Sequence, residues 1–423
     1  ITVGILDAGT GNLGLLTGGS ILDAQADTVG VDGNGFADPT GDARVGNLIG
    51  AELRLEAGGD IGEAGNPLDT TVDVVAAQSG GSLYLYETDP LTVGTVPPVT
   101  VTRVNLDSST TLVSNAAALA GMEATAGVGK LETIVGTLTV ADPVEAGSNL
   151  LLAAGGAGSD LTINAVVDST GAGHLTLLAQ NNVNQNAAVT TQGGTVFTRA
   201  VDGNITMASA TTTTSTGGNI RFEAGTNMTL GILDAGAGNL SLLAGGDILD
   251  AQGDTVGVGT NGFADPTGDA RVTNLNGAEL RLEAGGDIGA AGNPLDIEVD
   301  VLSALAGGNL YLFETDALTV GTVTPVPVSR VNLDSTTTAI EEPTDLTGLE
   351  GTAGVVKLET IAGALGIDGP VEAGADILLA VGGAGSDLTI NAQVTSTGAG
   401  HLTLLAQNNF IQNANATTQG GTL

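Results

Sequence analysis

The chain has 423 residues with no Cys, no Trp and 67 Gly, and its 47 acidic side chains outnumber 10 basic ones for a formal net charge of −37. At 42% hydrophobic residues it is too apolar for a disordered acidic chain, and it lacks the Gly-X-Y period of collagen. The charge leaves no basic patch for phosphates or anionic lipid, the missing Cys excludes disulfides and thiolate metal sites, and no apolar run is long enough for a membrane-spanning helix, so neither nucleic-acid binding nor membrane insertion is expected.

From the N-terminus onward, a polar residue followed by apolar-x-apolar recurs: Asn12-Leu-Gly-Leu, Glu52-Leu-Arg-Leu, Ser82-Leu-Tyr-Leu, Asp160-Leu-Thr-Ile, His174-Leu-Thr-Leu, Asn204-Ile-Thr-Met and Asn219-Ile-Arg-Phe. Period 2 over so few residues predicts short strands with one buried face, and the flanking Gly-Gly or Gly-Asn pairs predict tight corners. Coils of about 20 residues with two or three strands each, plus protruding loops, fit this spacing.

The first loop, VDGNGFADPTGD, gathers Asp27, Asp32, Asp38 and Asp42. Carboxylates and tight Gly turns suit calcium, which takes six to eight oxygens, although Val29 and Val31 fall on ligand positions of an EF-hand loop. Its later copy keeps Asp254, Asp265 and Asp269 but has Gly259 in place of Asp32. A solvated acidic loop with Asx turns is the plainer reading, and calcium is the one cofactor considered. Residues 112–118 read as an exposed loop. The helix suggested by SNAAALAGMEATAG at Ser114 is not expected, because its later copy carries Pro343 and extra Gly.

Farther along, GGAGSD at Gly155 and Gly382 matches the start of a calcium-roll nonapeptide but occurs too rarely for one, and is read as a turn. His174 and His401 read as surface or corner residues, and the threonines at 211–214 as a polar loop. Gln180, Asn181, Asn182, Asn184 and Asn186, with Gln407, Asn408, Asn409 and Asn413, are candidates for side-chain ladders between coils. Arg44, Arg54, Arg103 and Arg221 are expected in exposed pairs with acids such as Glu56 or Asp42, each adding at most about 1 kcal/mol.

One long repeat organises all of this. Residues 1–196 match residues 228–423 at 143 of 196 positions with no insertion or deletion, an offset of 227. Two units follow: 1–227, complete, and 228–423, truncated at its C-terminal end. Both ends fall inside repeated phrases, so a window of a longer array is expected.

A parallel β-helix accommodates the short strands, small aliphatic residues and Gly corners; tandem β-sandwich domains are the alternative, and 2% aromatic residues disfavour them. The phrases GNLSLLAGGDI, ELRLEAGGDIGAAGNPLDIEVD, GNLYLFETDALTVGTV and GNIRFEAGTNMTL resemble the repeat regions of filamentous-haemagglutinin-type giant bacterial exoproteins and adhesins. That resemblance implies a secreted, cell-surface chain folded as a right-handed β-helical rod.

The function expected is structural: an extracellular fibre or adhesin stalk, not an enzyme. Its partner is itself, end to end within a longer chain or a homopolymer, with lateral bundling through divalent cations. Two rivals are a ligand- or glycan-binding adhesin surface using loops 112–118 and 339–345, and a polysaccharide-degrading β-helix. Dispersed basic residues and scarce aromatic platforms weigh against the second.

Overall fold

A computed structural model gives the structure of the chain; it describes every residue except 26–29, 37–45, 116, 254–256, 260 and 265–270. The described residues form strands, mostly short, and no helix. They divide into two compact units. The first comprises Ile1–Gly194, Thr198–Val201 and Ser329–Thr338; the second comprises Thr195–Phe197, Asp202–Val328 and Ala339–Leu423.

Unit 1 is a parallel β-solenoid. Three strands make a coil, as in Gly129–Thr133, Leu138–Val140 and Val144–Ala146. Each strand pairs in parallel and in register with its counterpart one coil on: Gly129 with Leu150 and Leu150 with Leu175, Leu138 with Leu161, and Val144 with Val167. Unit 2 is built the same way, with Val356–Thr360 on Ile377–Val381 and these on Leu402–Ala406. Sandwich domains pair their strands antiparallel, so the alternative architecture falls.

The three-residue strands bury their first and last residues and leave the middle one half-exposed, as Leu138–Val140 and Leu161–Ile163 do. That is the alternation read from the sequence. In-register stacking places like on like, so Leu131, Leu152 and Leu177 form one fully buried aliphatic column. Each such side chain contributes about 2 kcal/mol by leaving water.

Two devices turn the corners. One is a spine of glycines: a Cβ on Gly58 would meet the Gly18 oxygen and one on Gly80 the Gly58 oxygen, while in unit 2 Gly245, Gly285 and Gly307 each face a glycine carbonyl of the preceding coil. Only a residue without a side chain stacks that closely. The other device is the polar residue that precedes the apolar-x-apolar strands. Asp60 Oδ1 accepts from Ser82 N at 2.7 Å, and in unit 2 Asp247 Oδ1 accepts from Asp287 N (2.8 Å) and Asp287 Oδ1 from Asn309 N (2.6 Å). The amide ladders extend this: Asn181 and Asn182 donate to Asp160, and Asn186 donates to Asn164 at 2.9 Å.

These ladder bonds also measure the coils. They span 20 to 25 residues in plain coils but 40 between Ser20 and Asp60, and 46 between Ser82 and Val128. The coil of about 20 residues therefore holds only where nothing is inserted. The longer of the two stretched coils carries an antiparallel hairpin, Thr100–Val104 with Thr110–Ser114, whose ten strand residues are all exposed. Its second strand takes in residues 112–114 of the stretch 112–118 expected to be an exposed loop; they are exposed but form a strand.

Each unit also exchanges its faces once. In unit 1 the long strand Val74–Ser79 is followed, one coil on, by two short ones, with Val75 paired to Val93 and Ala77 to Met122. Conversely Ile61 and Leu68–Thr71 are both topped by the single strand Leu83–Glu87. Unit 2 repeats this at Leu302, Ala304, Ile288 and Leu295. The seam is closed by a buried carboxyl: Glu87 accepts from Thr70 Oγ1 at 2.7 Å and from Val72 N at 3.2 Å, and Glu314 accepts from Val299 N at 3.2 Å.

Of the threonines at 211–214, expected in a polar loop, only Thr211 lies outside a strand, in a turn with Ala208. Thr212–Ser215 is a solenoid strand paired with Ile232–Asp234, with Thr213 and Ser215 buried. Threonine is β-branched and suits a pleated surface; polarity alone misled the sequence reading.

Candidate functional site

Strands Leu83–Glu87, Gly129–Thr133, Leu150–Ala154 and Leu175–Ala179 stack into one broad face of unit 1. All of their residues are buried, on both sides of the pleat. Leu83, Leu85, Leu131 and Leu152 alternate inward, so Tyr84, Lys130 and Thr176 belong to the outer side, and something covers it.

That cover is the tip of a second hairpin, strands Val328–Val331 and Thr337–Ile340, whose residues Ser329–Thr338 belong to unit 1. Val331 N donates to Thr176 Oγ1 at 2.8 Å, Lys130 Nζ donates to the Leu333 oxygen at 2.5 Å, and Ser335 Oγ donates to the Tyr84 hydroxyl at 3.3 Å. Lys130 also lies 5.5 Å from the Tyr84 ring centre. Burial pulls the Lys130 pKa down to about 7, against the opposing pull of Asp334.

The same face recurs in unit 2 as Leu310–Glu314, Val356–Thr360, Ile377–Val381 and Leu402–Ala406. The internal geometry is retained, with Lys357 Nζ again 5.5 Å from the Tyr311 ring centre. Here, however, Lys357 and Thr403 are exposed and Tyr311 is half-exposed. A cleft of about 280 Å³ opens over it, lined by Pro294, Tyr311, Phe313, Lys357, Glu359 and Leu378 among others. Burial raises the pKa of Glu359, although Ala264 N donates to it at 2.8 Å.

The base of the second hairpin is held by charge. In unit 2, buried Glu342 accepts from Arg221, from the Ser241 hydroxyl and, at 2.8 Å, from Val326 N. Burial works to raise the Glu342 pKa, yet Ser241, Val326 N and Arg221 together hold it below the usual range. At the matching place in unit 1, Asn115 Oδ1 accepts from Val99 N at 3.1 Å without a charge.

The arginines therefore depart from expectation. Arg54 does pair with Glu56 at 2.7 Å, but Arg54, Arg221 and Arg281 are all buried rather than exposed. Each has its head group fixed by a neighbouring carboxylate, and Arg54 and Arg281 also donate to the oxygens of Ala117 and Thr344. Arg103 is exposed and donates to Asn105 at 3.2 Å. Arg44 lies outside the described residues.

Of the seven acids considered for calcium, Asp27, Asp38, Asp42, Asp254, Asp265 and Asp269 lie outside the described residues. Asp32 is described: its Oδ1 accepts from the backbone N–H groups of Asn34, Gly35 and Phe36 at 2.8 to 2.9 Å, an Asx turn. Gly259, its counterpart, keeps the same backbone turn with Phe263. Among the described residues no group of three or more His, Cys, Asp or Glu is placed to hold a metal ion. Asp160 and Asp387 of the GGAGSD turns serve the ladders, accepting from Asn182 N and Asn409 N at 2.9 Å. His174 N donates to Asn149 at 2.8 Å, and exposed His401 accepts from Thr422 N at 3.0 Å.

The outer face was missed by the sequence reading. Its signal was LYLYE and KLET followed by LLLAA and LTLLA, strands without the polar alternation of a one-sided sheet, which is how strands buried on both faces read. No family model, no curated protein and no solved structure matches the chain.

Proposed function

We propose that the chain is a segment of an extracellular β-solenoid fibre or adhesin stalk, whose role is to provide length and surface. One observation supports this above others: the coil-to-coil ladder. Asp247, Asp287 and Asn309 each accept from the backbone of the following coil, so every coil prepares the docking edge of the next. Such a chain lengthens by duplication without redesign, since stability is a sum of coil and nearest-neighbour terms. The 227-residue repeat without insertions fits a selection for length, and the strongly acidic composition fits solubility at high concentration.

The test is electron microscopy or fibre diffraction of the native material. A stalk of stacked coils gives an axial reflection near 4.7–4.9 Å. Native material that is globular, or filamentous without this spacing, overturns the reading.

A further inference from the structure

The hairpin tips of the two repeats have the same sequence, Arg103-Val-Asn-Leu-Asp-Ser108 and Arg330-Val-Asn-Leu-Asp-Ser335. They are also built alike. Asn105 N donates to Ser109 O and Asn332 N to Thr336 O, both at 2.9 Å. Ser108 and Ser335 share the left-handed backbone conformation, with φ of 64° and 68°. Their surroundings are opposite. Leu333 and Val331 are 3% and 1% exposed, seated on Tyr84, Lys130 and Thr176, whereas Leu106 is wholly exposed and Val104 is 72% exposed.

The receiving faces show the reverse asymmetry. Thr176 and Lys130 are buried beneath a tip, while Thr403 and Lys357, their counterparts, are exposed. Among the described residues there are thus one joined pair of tip and face, one free tip and one free face. The free partners carry the residues that make the joined pair: Val104, Leu106 and Ser108 on the tip, Tyr311, Lys357 and Thr403 on the face.

We propose that the free face of unit 2 is the docking site for the Thr100–Ser114 hairpin of a second copy of this chain. In that contact Val104 N donates to the Thr403 hydroxyl, Lys357 Nζ donates to the Leu106 oxygen, and Ser108 meets the Tyr311 hydroxyl. Leu106 enters the cleft between Pro294, Tyr311 and Phe313, and Asp107 comes near Lys357, as Asp334 lies near Lys130. Both partners are preformed, so little ordering entropy opposes the contact. The tip and the face are different surfaces, so the contact is heterologous. This deepens the fibre reading by naming the surface through which one copy meets the next.

The experiment uses the full chain, which has no Cys of its own. Leu106→Cys and Lys357→Cys variants are mixed under mild oxidation, and mass is followed by sedimentation over a concentration series. The expected result is a disulfide-linked heterodimer from the mixture, in at least tenfold excess over that from Leu106→Cys mixed with Val135→Cys, where Val135 is an exposed site on no part of either surface. Wild type should rise in mass with concentration, and Leu106→Asp, whose wholly exposed site carries no folding role, should not. Wild type that stays monomeric to about 100 μM, or equal cross-linking in both mixtures, overturns the proposal. A monomer whose native material still shows the axial coil spacing would leave the stalk reading intact, and loss of that spacing with retained cross-linking would do the opposite.

Discussion

Lys130 donates its ammonium hydrogen to the backbone oxygen of Leu333 at 2.5 Å, while Lys357, the same residue one repeat later, is exposed. One lysine is a fastener and the other a vacant socket. The Lys130 pKa falls from its ordinary 10.5 to about 7. Between those values the unfolded chain binds more protons, so stability rises with pH across that window. Thermal unfolding at pH 6.5 and at pH 10 should show wild type gaining relative to Lys130→Met; parallel profiles would refute the role given to this amine.

Glu87 and Glu314 behave oppositely. Burial raises each pKa from 4.5 to about 8, Asp89 adding to the rise at Glu87 and Asp316 at Glu314. A carboxyl whose pKa rises on folding contributes stability that is fully present below pH 4.5 and lost as pH climbs through 8. The Glu87→Gln and Glu314→Gln double variant keeps a neutral acceptor at each seam. Its midpoint temperature should change less between pH 5 and pH 8 than that of wild type, by roughly 3 °C or more.

The glycine spine is testable with a matched control. A Cβ at Gly285 runs into the Gly245 oxygen, whereas a Cβ at Gly292, also in unit 2, would meet nothing within 4 Å beyond its own chain neighbours. Gly285→Ala should destabilise unit 2 by roughly 2 kcal/mol or more, as overpacking does. Gly292→Ala should be neutral to within about 0.5 kcal/mol in denaturant unfolding. Equal effects would remove the spine from the account of the corners.

Asp287 separates acceptor from charge. Its Oδ1 receives Asn309 N at 2.6 Å and Asn309 Nδ2 at 3.1 Å. Asp287→Ala leaves those donors without this acceptor and should cost about 1–3 kcal/mol. Asp287→Asn retains an acceptor oxygen and should recover most of the loss. Failure of the Asn variant to recover it would mean that the carboxylate charge, rather than the ladder bond, is what matters.

Glu342 anchors Arg221 and Ser241 with both charged partners buried. Glu342→Ala leaves Arg221 with Glu223 as its remaining carboxylate partner and takes the acceptor from Val326 N, and should cost about 1–3 kcal/mol. Glu342→Asn tests whether the unit 1 solution, Asn115, can serve beside a buried arginine; it should fall between wild type and Ala in unfolding experiments.

The solenoid itself was legible because its strongest constraints are local. A polar residue, two apolar residues at period 2 and a Gly corner state the strand, its inner face and its turn within a short stretch of chain, as in Asp160-Leu-Thr-Ile or Ser82-Leu-Tyr-Leu. The ladder role of Asn182 and Asn186 followed from the same economy. What could not be read was anything set by distant chain. Nothing near Lys130 announces Leu333, and nothing in RVNLDS tells that its first occurrence is bare and its second buried. Arg54 looked like a surface charge because its burial depends on Ala117, 63 residues away. Thr213 looked like loop because a run of threonines lacks an apolar partner until Leu233 is placed beside it.

The Lys130–Leu333 contact has a bearing on how the molecule comes apart. Ladder bonds join residues one coil apart, so a chain held by them alone would fray coil by coil from its ends, with no single melting event. The contact between Lys130 and Leu333 instead closes a loop of 203 residues. Closing it costs entropy that grows only as the logarithm of its length, and that cost is met once. While the contact holds, opening any coil between these residues works against a closed ring rather than a free end. A solenoid fastened this way melts in larger cooperative blocks, and releasing Leu333 should broaden its unfolding transition before it lowers it.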